Sequence, residues 1–441
     1  MPDGFVTQPV TTGSGTWHLA TAPQLPVTPV AWSGGSGLLI GDAIHDGRLV
    51  RNELTLAAGD WTDVVAELSG RFVLLIVQPQ PLLVPDHFAT HAVFFHAESA
   101  TAATSPALLE AVVGTPLAAE SRKRTMPLDT TGIAGTRRLI ANHCLDLQTM
   151  QTRRFWPARE FRQPQSAEQL AADAIAAVRR NLTAASDLPL VIGLTSGRDS
   201  RVTLAACEPA VRREAAFYTW QDKQPGEVNR CDVAIARRIA RAGDLSYDVL
   251  PSAAATDEQK QRYNAQTGQL RTNDNAEHYT RIMLAYQAAR TAVYGFGGEV
   301  AIAYYQKAVD EGGLPDGAEL LTRMECETCP ASLAAYERWL SGLPKFADVD
   351  LTVELLYIEN RLSAWASPKF TAVPMQRVLN PFADRVYISR CLSAPFQERK
   401  SRSFQQRLIR TADASLMRFP FDCPSLPRRI ARRVKSLIGK R

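Results

Sequence analysis

The apolar run Leu190-Val191-Ile192-Gly193-Leu194 breaks into Thr195-Ser196-Gly197-Arg198-Asp199-Ser200-Arg201. It then passes directly into the helix-prone Val202-Thr203-Leu204-Ala205-Ala206. A short buried strand, a polar loop and an immediate helix fit a parallel α/β sheet. The same order makes an anion site, because uncapped N–H groups and the positive end of the helix dipole face the loop. Asp199 would repel a bare anion. It fits if a divalent cation bridges its carboxylate to a phosphate. No Gly-Lys-Ser/Thr is present in the loop, which excludes a Walker A motif.

Helix and strand patterns alternate on both sides of this loop. Ser166 precedes a long helical stretch through Asn181, with Gln169 at the capping-box position. Further strands are expected at Ala215–Trp220 and Tyr247–Leu250, and a helix at Asp232–Ala242. Beyond about residue 300 the pattern is mostly helical. Residues 1–160 read differently, with short apolar runs at 37–41, 71–77, 82–84 and 92–96 between turn signals, and a hairpin marked by Pro79 and Pro81. Two short helices are expected in that part, at 63–68 and 106–112. The chain of 441 residues is long enough for two domains, here 1–160 and 165–441, joined by a connector from Phe155 to about Gln163.

Composition excludes some classes. No run of about 18 apolar residues suggests a membrane span, and Met1-Pro2-Asp3-Gly4-Phe5 lacks the basic and apolar regions of a signal peptide. A cytoplasmic location is therefore expected. Seven cysteines in a chain this long are no disulfide framework, and Cys326-Glu327-Thr328-Cys329 lacks the second pair that a zinc site needs. The net charge of +5 is modest, and no nucleic-acid partner is expected. The positive charge concentrates in Arg428–Arg441, where Ile430, Val434, Leu437 and Ile438 fall at helical spacing. This tail is either a docked or frayed end, or a weak contact for a membrane surface or an acidic partner.

A second acidic residue closes another strand-like run, Ala292-Val293-Tyr294-Gly295-Phe296-Gly297-Gly298-Glu299. Ligands of parallel sheets lie beyond the carboxyl ends of the strands. Asp199 and Glu299, 100 residues apart in sequence, are thus candidates to hold Mg²⁺ against the phosphates of ATP. The plainer alternative is an N-cap aspartate and a first-turn glutamate.

Thr195-Ser196-Gly197-Arg198-Asp199-Ser200 resembles the Ser-Gly-Gly-x-Asp-Ser loop of N-type ATP pyrophosphatases, as found in the asparagine synthetase family. Thr195 stands for the serine and Ser196 for the first glycine. Gly295–Glu299 resembles the family's Gly-x-Gly-x-Asp motif, and Asn380-Pro381-Phe382-Ala383-Asp384-Arg385 its Pro-Phe-x-Asp turn. The order around Leu68-Ser69-Gly70-Arg71-Phe72 and Asp86 is similar to the family's glutaminase-type domain. His87-Phe88-Ala89 stands where that domain has a glycine turn.

The resemblance implies an N-terminal Ntn-hydrolase-like β-rich sandwich followed by a parallel-sheet ATP-pyrophosphatase domain. It implies ATP and Mg²⁺ as cofactors, a nucleotide site built from Leu194, Thr195, Ser196, Gly197, Arg198, Asp199, Ser200, Trp220, Gly295, Phe296 and Gly297, and a metal held by Asp199 and Glu299. Asp232 accompanies the nucleotide in the same scheme, or else serves only its helix dipole. Phe296 occupies the position of the family's catalytic base and cannot move a proton, so Glu354 or Glu359 are candidates to replace it. Lys400 is the candidate to neutralise the adenylate, with Arg399, Arg407 and Arg410 as its basic neighbours, or else these residues form a solvated helix face. Glutaminases of this type use an N-terminal cysteine, whereas the first cysteine here is Cys144. The expected activity is therefore an ATP-dependent amidoligase that joins a small-molecule or peptide carboxylate to an amine without glutamine hydrolysis. The alternatives are adenylation without amide formation and a non-catalytic nucleotide binder.

Overall fold

The structure is a computed structural model and describes residues 5–114, 124–162, 164–222, 225–251, 256–261, 290–309, 313–364 and 377–421. The basic tail Arg428–Arg441 lies outside the described residues. No helix among the described residues is long and apolar enough to cross a membrane.

The first half is built on β1 (Val6–Thr12), β2 (Gly15–Thr21), β3 (Val27–Trp32), β4 (Gly35–His45), β5 (Arg48–Leu49), β6 (Leu54–Leu56), α1 (Trp61–Glu67), β7 (Leu68–Gln78), β8 (Leu82–Pro85), β9 (Phe94–His96), β10 (Thr101–Ala103), α2 (Pro106–Val113), β11 (Thr136–Arg138), β12 (His143–Asp146) and β13 (Gln151–Arg154). The main sheet runs β13-β12-β8-β7-β4-β3-β6, with β5 on β4. Its pairs are antiparallel except β3 with β6. Alternate residues of β7 face opposite ways. Phe72, Leu74 and Ile76 pack with Val64 and Val65 of α1, and Val73 and Leu75 pack with Val93, Phe95 and Leu139. Cover on both faces explains why this strand reads as a continuous apolar run rather than an alternating one.

The second half comprises α3 (Ala167–Thr183), β14 (Leu190–Gly193), α4 (Arg198–Ala206), α5 (Pro209–Glu214), β15 (Ala216–Gln221), α6 (Glu227–Ala242), β16 (Ser246–Pro251), β17 (Thr291–Val293), α7 (Gly317–Arg323), α8 (Pro330–Ser341), α9 (Val349–Leu356), β18 (Arg377–Leu379), α10 (Arg385–Ser393), α11 (Phe396–Lys400) and α12 (Ser403–Asp413). As its sequence suggests, α3 is capped by Ser166, whose hydroxyl accepts from the Gln169 amide at 3.1 Å. The five-stranded sheet is parallel, in the order β16-β15-β14-β17-β18. Chain progression runs one way from β14 to β16 and the other way from β17 to β18. The reversal lies between β14 and β17, the position at which open α/β sheets bind ligands.

Two expectations need correction. Helix α6 begins at Glu227, so Asp232 lies inside it rather than at its start. The fifth strand, β18, was not expected, because three residues give too short an apolar pattern to recognise.

The two halves are stitched along β7 and the turn after β18. The Gly70 amide donates to the Ala383 carbonyl at 3.1 Å. Ser69 Oγ donates to Asn181 Oδ1 at 2.9 Å, and Asn181 Nδ2 donates to the Pro381 carbonyl at 2.9 Å. Asp384 accepts from Asn181 and Arg180 through Oδ2, and caps α10 through Oδ1 and the Tyr387 amide at 3.0 Å. Ile44, Phe88 and Ala89 of the first half share one buried cluster with α3 and the parallel sheet.

Candidate nucleotide site

The loop after β14 is wired internally. Leu194 continues the strand, with its amide donating to the Tyr218 carbonyl at 2.8 Å and its own carbonyl accepting from Thr219 Oγ1. Its side chain is fully buried, so Leu194 anchors the loop and offers a ligand neither its side chain nor these main-chain groups. The Thr195 amide donates to Ser200 Oγ at 3.0 Å, and the Gly197 amide donates to Thr195 Oγ1 at 3.0 Å. Ser196 turns inward, where its hydroxyl and amide both bond Asp232 Oδ1, the amide at 3.2 Å. The extra Cβ of Ser196 is therefore accommodated toward α6. Asp232 acts as a loop anchor and not as a dipole partner at a helix start. No side chain caps α4 at Gly197, leaving the first turn as the electropositive end.

Arg201 is completely buried. Its guanidinium donates to the Ser196 carbonyl at 2.9 Å, to the Phe419 carbonyl at 2.9 Å and to the Pro420 carbonyl. Phe421 lies against both loop arginines, 4.8 Å from Arg198 and 4.2 Å from Arg201. Trp220 closes β15 at the same edge of the sheet, half-buried and edge-on to Tyr218 at 5.0 Å.

Across the reversal point, β17 leads into Tyr294-Gly295-Phe296-Gly297 and a 3₁₀ turn, Gly298–Ala301, that carries Glu299. Asp199 and this turn meet. A Cβ on Gly298 would lie 2.9 Å from Asp199 Oδ1. Gln405 of α12 donates from Nε2 to both Asp199 Oδ1 and the Gly298 carbonyl, the latter at 3.3 Å. Two buried phenols lie within electrostatic reach of both acids. Burial first, then the carboxylates of Asp199 and Glu299 among other neighbours, push the Tyr357 and Tyr387 hydroxyls well above their ordinary range. The Tyr387 hydroxyl donates to the carbonyls of Gly297 and Gly298 at 3.1 and 3.3 Å.

The first half of the chain reaches this site as well. Gly297 has φ +95, and a Cβ there would lie 2.4 Å from the Phe88 ring. Phe88 belongs to a turn built by Asp86, which accepts from the amides of Phe88, Thr90 and His91 at 3.0–3.1 Å and from the Thr90 hydroxyl at 2.8 Å. Gly295 passes 3.7 Å from Thr203 Oγ1 of α4, measured from the position of a Cβ. Phe296 is buried and stacked on Tyr294 at 5.7 Å.

A pair of carboxylates beside a helix N-terminus suits Mg²⁺. The ion commonly takes one or two protein carboxylates and completes its octahedron with phosphate oxygens and water. Among the described residues no group of three or more His, Cys, Asp or Glu is placed to hold a metal, which disfavours a self-sufficient protein cage. Asp199 and Glu299 are the residues that would hold the ion.

The two candidate catalytic residues lie elsewhere. Glu359 is fully buried, with its oxygens taken by Arg154 at 2.5 and 2.7 Å, Asn142 at 2.9 Å and Trp339 at 2.5 Å. Burial opposes its charge, but Arg154, His143 and Asn142 hold the carboxyl below its ordinary range. It is a buried anion that bonds residues of both halves. Lys400 ends α11 exposed, 5.7 Å from the Phe396 ring, and no contact ties it to the loop. Glu354 is buried against Arg399 at 2.5 Å, and burial pushes its carboxyl up to about 7. The expected basic cluster is dispersed, since Arg399 pairs with Glu354 and Arg407 with Glu168 and Glu398.

Cys326 and Cys329 are both free thiols, and Cys144 is fully buried with its thiol pushed by burial up to about 11. Cys231 on α6 is disulfide-bonded. A cavity of about 370 Å³ between residues 126–137 and α8 is lined by neither the loop nor either carboxylate.

No family model matches the chain, and no curated protein matches it. Solved structures similar to part of it include NMN synthetase from Francisella tularensis, at 14% identity over 43% of this chain and 78% of that one, TM-score 0.22. The NH3-dependent NAD synthetase from Campylobacter jejuni matches at 14% identity over 44% and 84%, TM-score 0.23. The glutamine-dependent NAD+ synthetase from Acinetobacter baumannii matches at 13% identity over 56% and 49%, TM-score 0.22. The chain spans about half the length of this last protein. The reading of the site rests on the chain's own strand order and loop geometry.

Proposed function

We propose that the chain is an ATP- and Mg²⁺-dependent ligase that adenylates a carboxylate and passes the acyl group to an amine, forming an amide. What carries this reading is the meeting of Asp199 and the Glu299 turn at the reversal point of a parallel sheet, beside an uncapped helix N-terminus. Mg²⁺, when bound, supplies charge neutralisation of the leaving pyrophosphate. In this reading the first turn of α4 binds phosphate oxygens, Trp220 flanks the base, and Gln405 orients Asp199. In the same reading residues 1–160 form an Ntn-hydrolase-like scaffold, and 165–441 the synthetase domain. The substrates are small-molecule or peptide carboxylates and amines, in the manner of natural-product or peptide tailoring.

A second reading, a nucleotide binder without catalysis, is favoured by one observation: Phe296 and Glu359 leave the site without an evident proton acceptor. Incubation with ATP, Mg²⁺, candidate carboxylates and amines separates the two, because only the ligase releases pyrophosphate on adenylation and AMP when the amine displaces it. Asp199→Asn is expected to abolish Mg²⁺-dependent ATP binding. Unchanged binding in that variant sinks both readings.

A further inference from the structure

We propose that the Tyr357 phenol is a ligand-binding group of this site, a buried hydrogen-bond donor, packed against the segment that follows the Glu299 turn, for an anionic oxygen of bound nucleotide phosphate. It rests on the reading that the site takes Mg²⁺·ATP. Tyr357 follows α9 in a π-helical turn, Tyr357–Leu362. Glu359, two positions on, bonds Arg154 and Trp339, and residues two apart on a helix face nearly opposite ways. The turn that buries Glu359 in the junction therefore turns Tyr357 to the other side, against Tyr304 and Tyr305.

The ring is firmly held. It stacks on Tyr304 at 5.0 Å and meets Tyr305 edge-on at 5.5 Å, while Arg361 covers the far tyrosine, 4.8 Å from the Tyr304 ring. Tyr304 and Tyr305 lie just beyond the Glu299 turn. The position of the ring is thus tied to the same segment that carries the acid.

The hydroxyl differs from its neighbour. Tyr387 spends its hydrogen bond on the Gly297 and Gly298 carbonyls. Tyr357 Oη is buried and, among the described residues, has no hydrogen-bond partner. A buried hydroxyl without a partner is costly and persists where it serves a bound group. A phenol carries its proton at neutral pH, so it can donate to an anion. It returns a polar group to a site where Phe296 offers none.

The test compares full-length parent, Tyr357→Phe and Asp199→Asn by calorimetric titration with Mg²⁺·ATP, alongside thermal unfolding. Phenylalanine keeps the stacking and removes only the hydroxyl. The expected result for Tyr357→Phe is an unchanged or raised Tm with a Kd roughly tenfold to a hundredfold weaker, the range for a hydrogen bond to a charged group. If Tyr357→Phe binds like the parent while Asp199→Asn has lost binding, the proposal is overturned and the nucleotide reading stands. A Tm lowered by several degrees assigns the hydroxyl a structural bond and overturns it too. If the parent does not bind Mg²⁺·ATP, or Asp199→Asn binds unchanged, both fall together.

Discussion

Gly297→Ala probes whether the first half of the chain shapes the nucleotide site. The new Cβ would lie 2.4 and 2.6 Å from two Phe88 ring atoms and 3.1 Å from Phe382 Cβ. Phe88 and Phe382 are both fully buried, so the ring has no solvent side to move into. Overpacking of this kind costs about 1–3 kcal/mol. The backbone adds a separate cost, since φ is +95 at this residue and an L side chain in that region costs about 1–2 kcal/mol. The sum is about 2–5 kcal/mol, to be measured by urea unfolding of the single variants and of Gly297→Ala combined with Phe88→Ala. The truncated ring removes the clash but not the backbone cost. Gly297→Ala should therefore cost about 1–3 kcal/mol less in the Phe88→Ala background than in the parent. Equal cost in both backgrounds would mean that the turn at Asp86 does not press on the nucleotide loop, and the account of the junction would be wrong.

Other expectations follow from the same contacts. Ala89 is buried with φ +50, so Ala89→Gly should change stability by less than about 1 kcal/mol in urea unfolding, the relief of left-handed strain offsetting the entropy of glycine and the lost methyl burial; a loss above about 2 kcal/mol would contradict the strained turn. His87, His91 and His143 are held below the ordinary histidine value of 6.5, first by burial. Their neutral forms are favoured in the fold, so stability present above pH 6.5 should fall as the pH drops through that value. Glu359, held below 4.5, adds a second loss at lower pH. Glu359→Gln should cost about 3 kcal/mol at neutral pH by leaving Arg154 buried beside a weaker partner, and should flatten that lower limb of a Tm-against-pH curve. An unaltered limb would remove Glu359 from the junction's charge balance.

Much of the sheet was legible because its signals are local. Strand β14, the loop and α4 are contiguous, and each carries its own pattern of apolar run, small polar residues and helix formers. The meeting of Asp199 with the Glu299 turn was legible only through the rule that parallel strands present ligands at one edge. The replacement base was not legible. Glu359 and Glu354 look alike in sequence, and only the positions of Arg154 and Arg399, 205 and 45 residues away, turn both into buried ion pairs. Gln405 carries no pattern at all, since a lone amide on an amphipathic helix says nothing of what it faces. Asp232 was noticed, but as the start of a helix, because a polar loop precedes it and one turn of helix has no sharp signature.

The guanidinium of Arg201 has a bearing on how the molecule matures. Its loop-side partner is five residues upstream, but its other acceptors are 218 and 219 residues downstream. While the chain is emerging from a ribosome, the turn after β14 must wait for that distant stretch before its cation can be enclosed at low cost. The parallel sheet can begin to form earlier, but the turn at its edge is completed only once Phe419 and Pro420 have been made. Nascent chains should accordingly reach a folded scaffold before this turn is fixed.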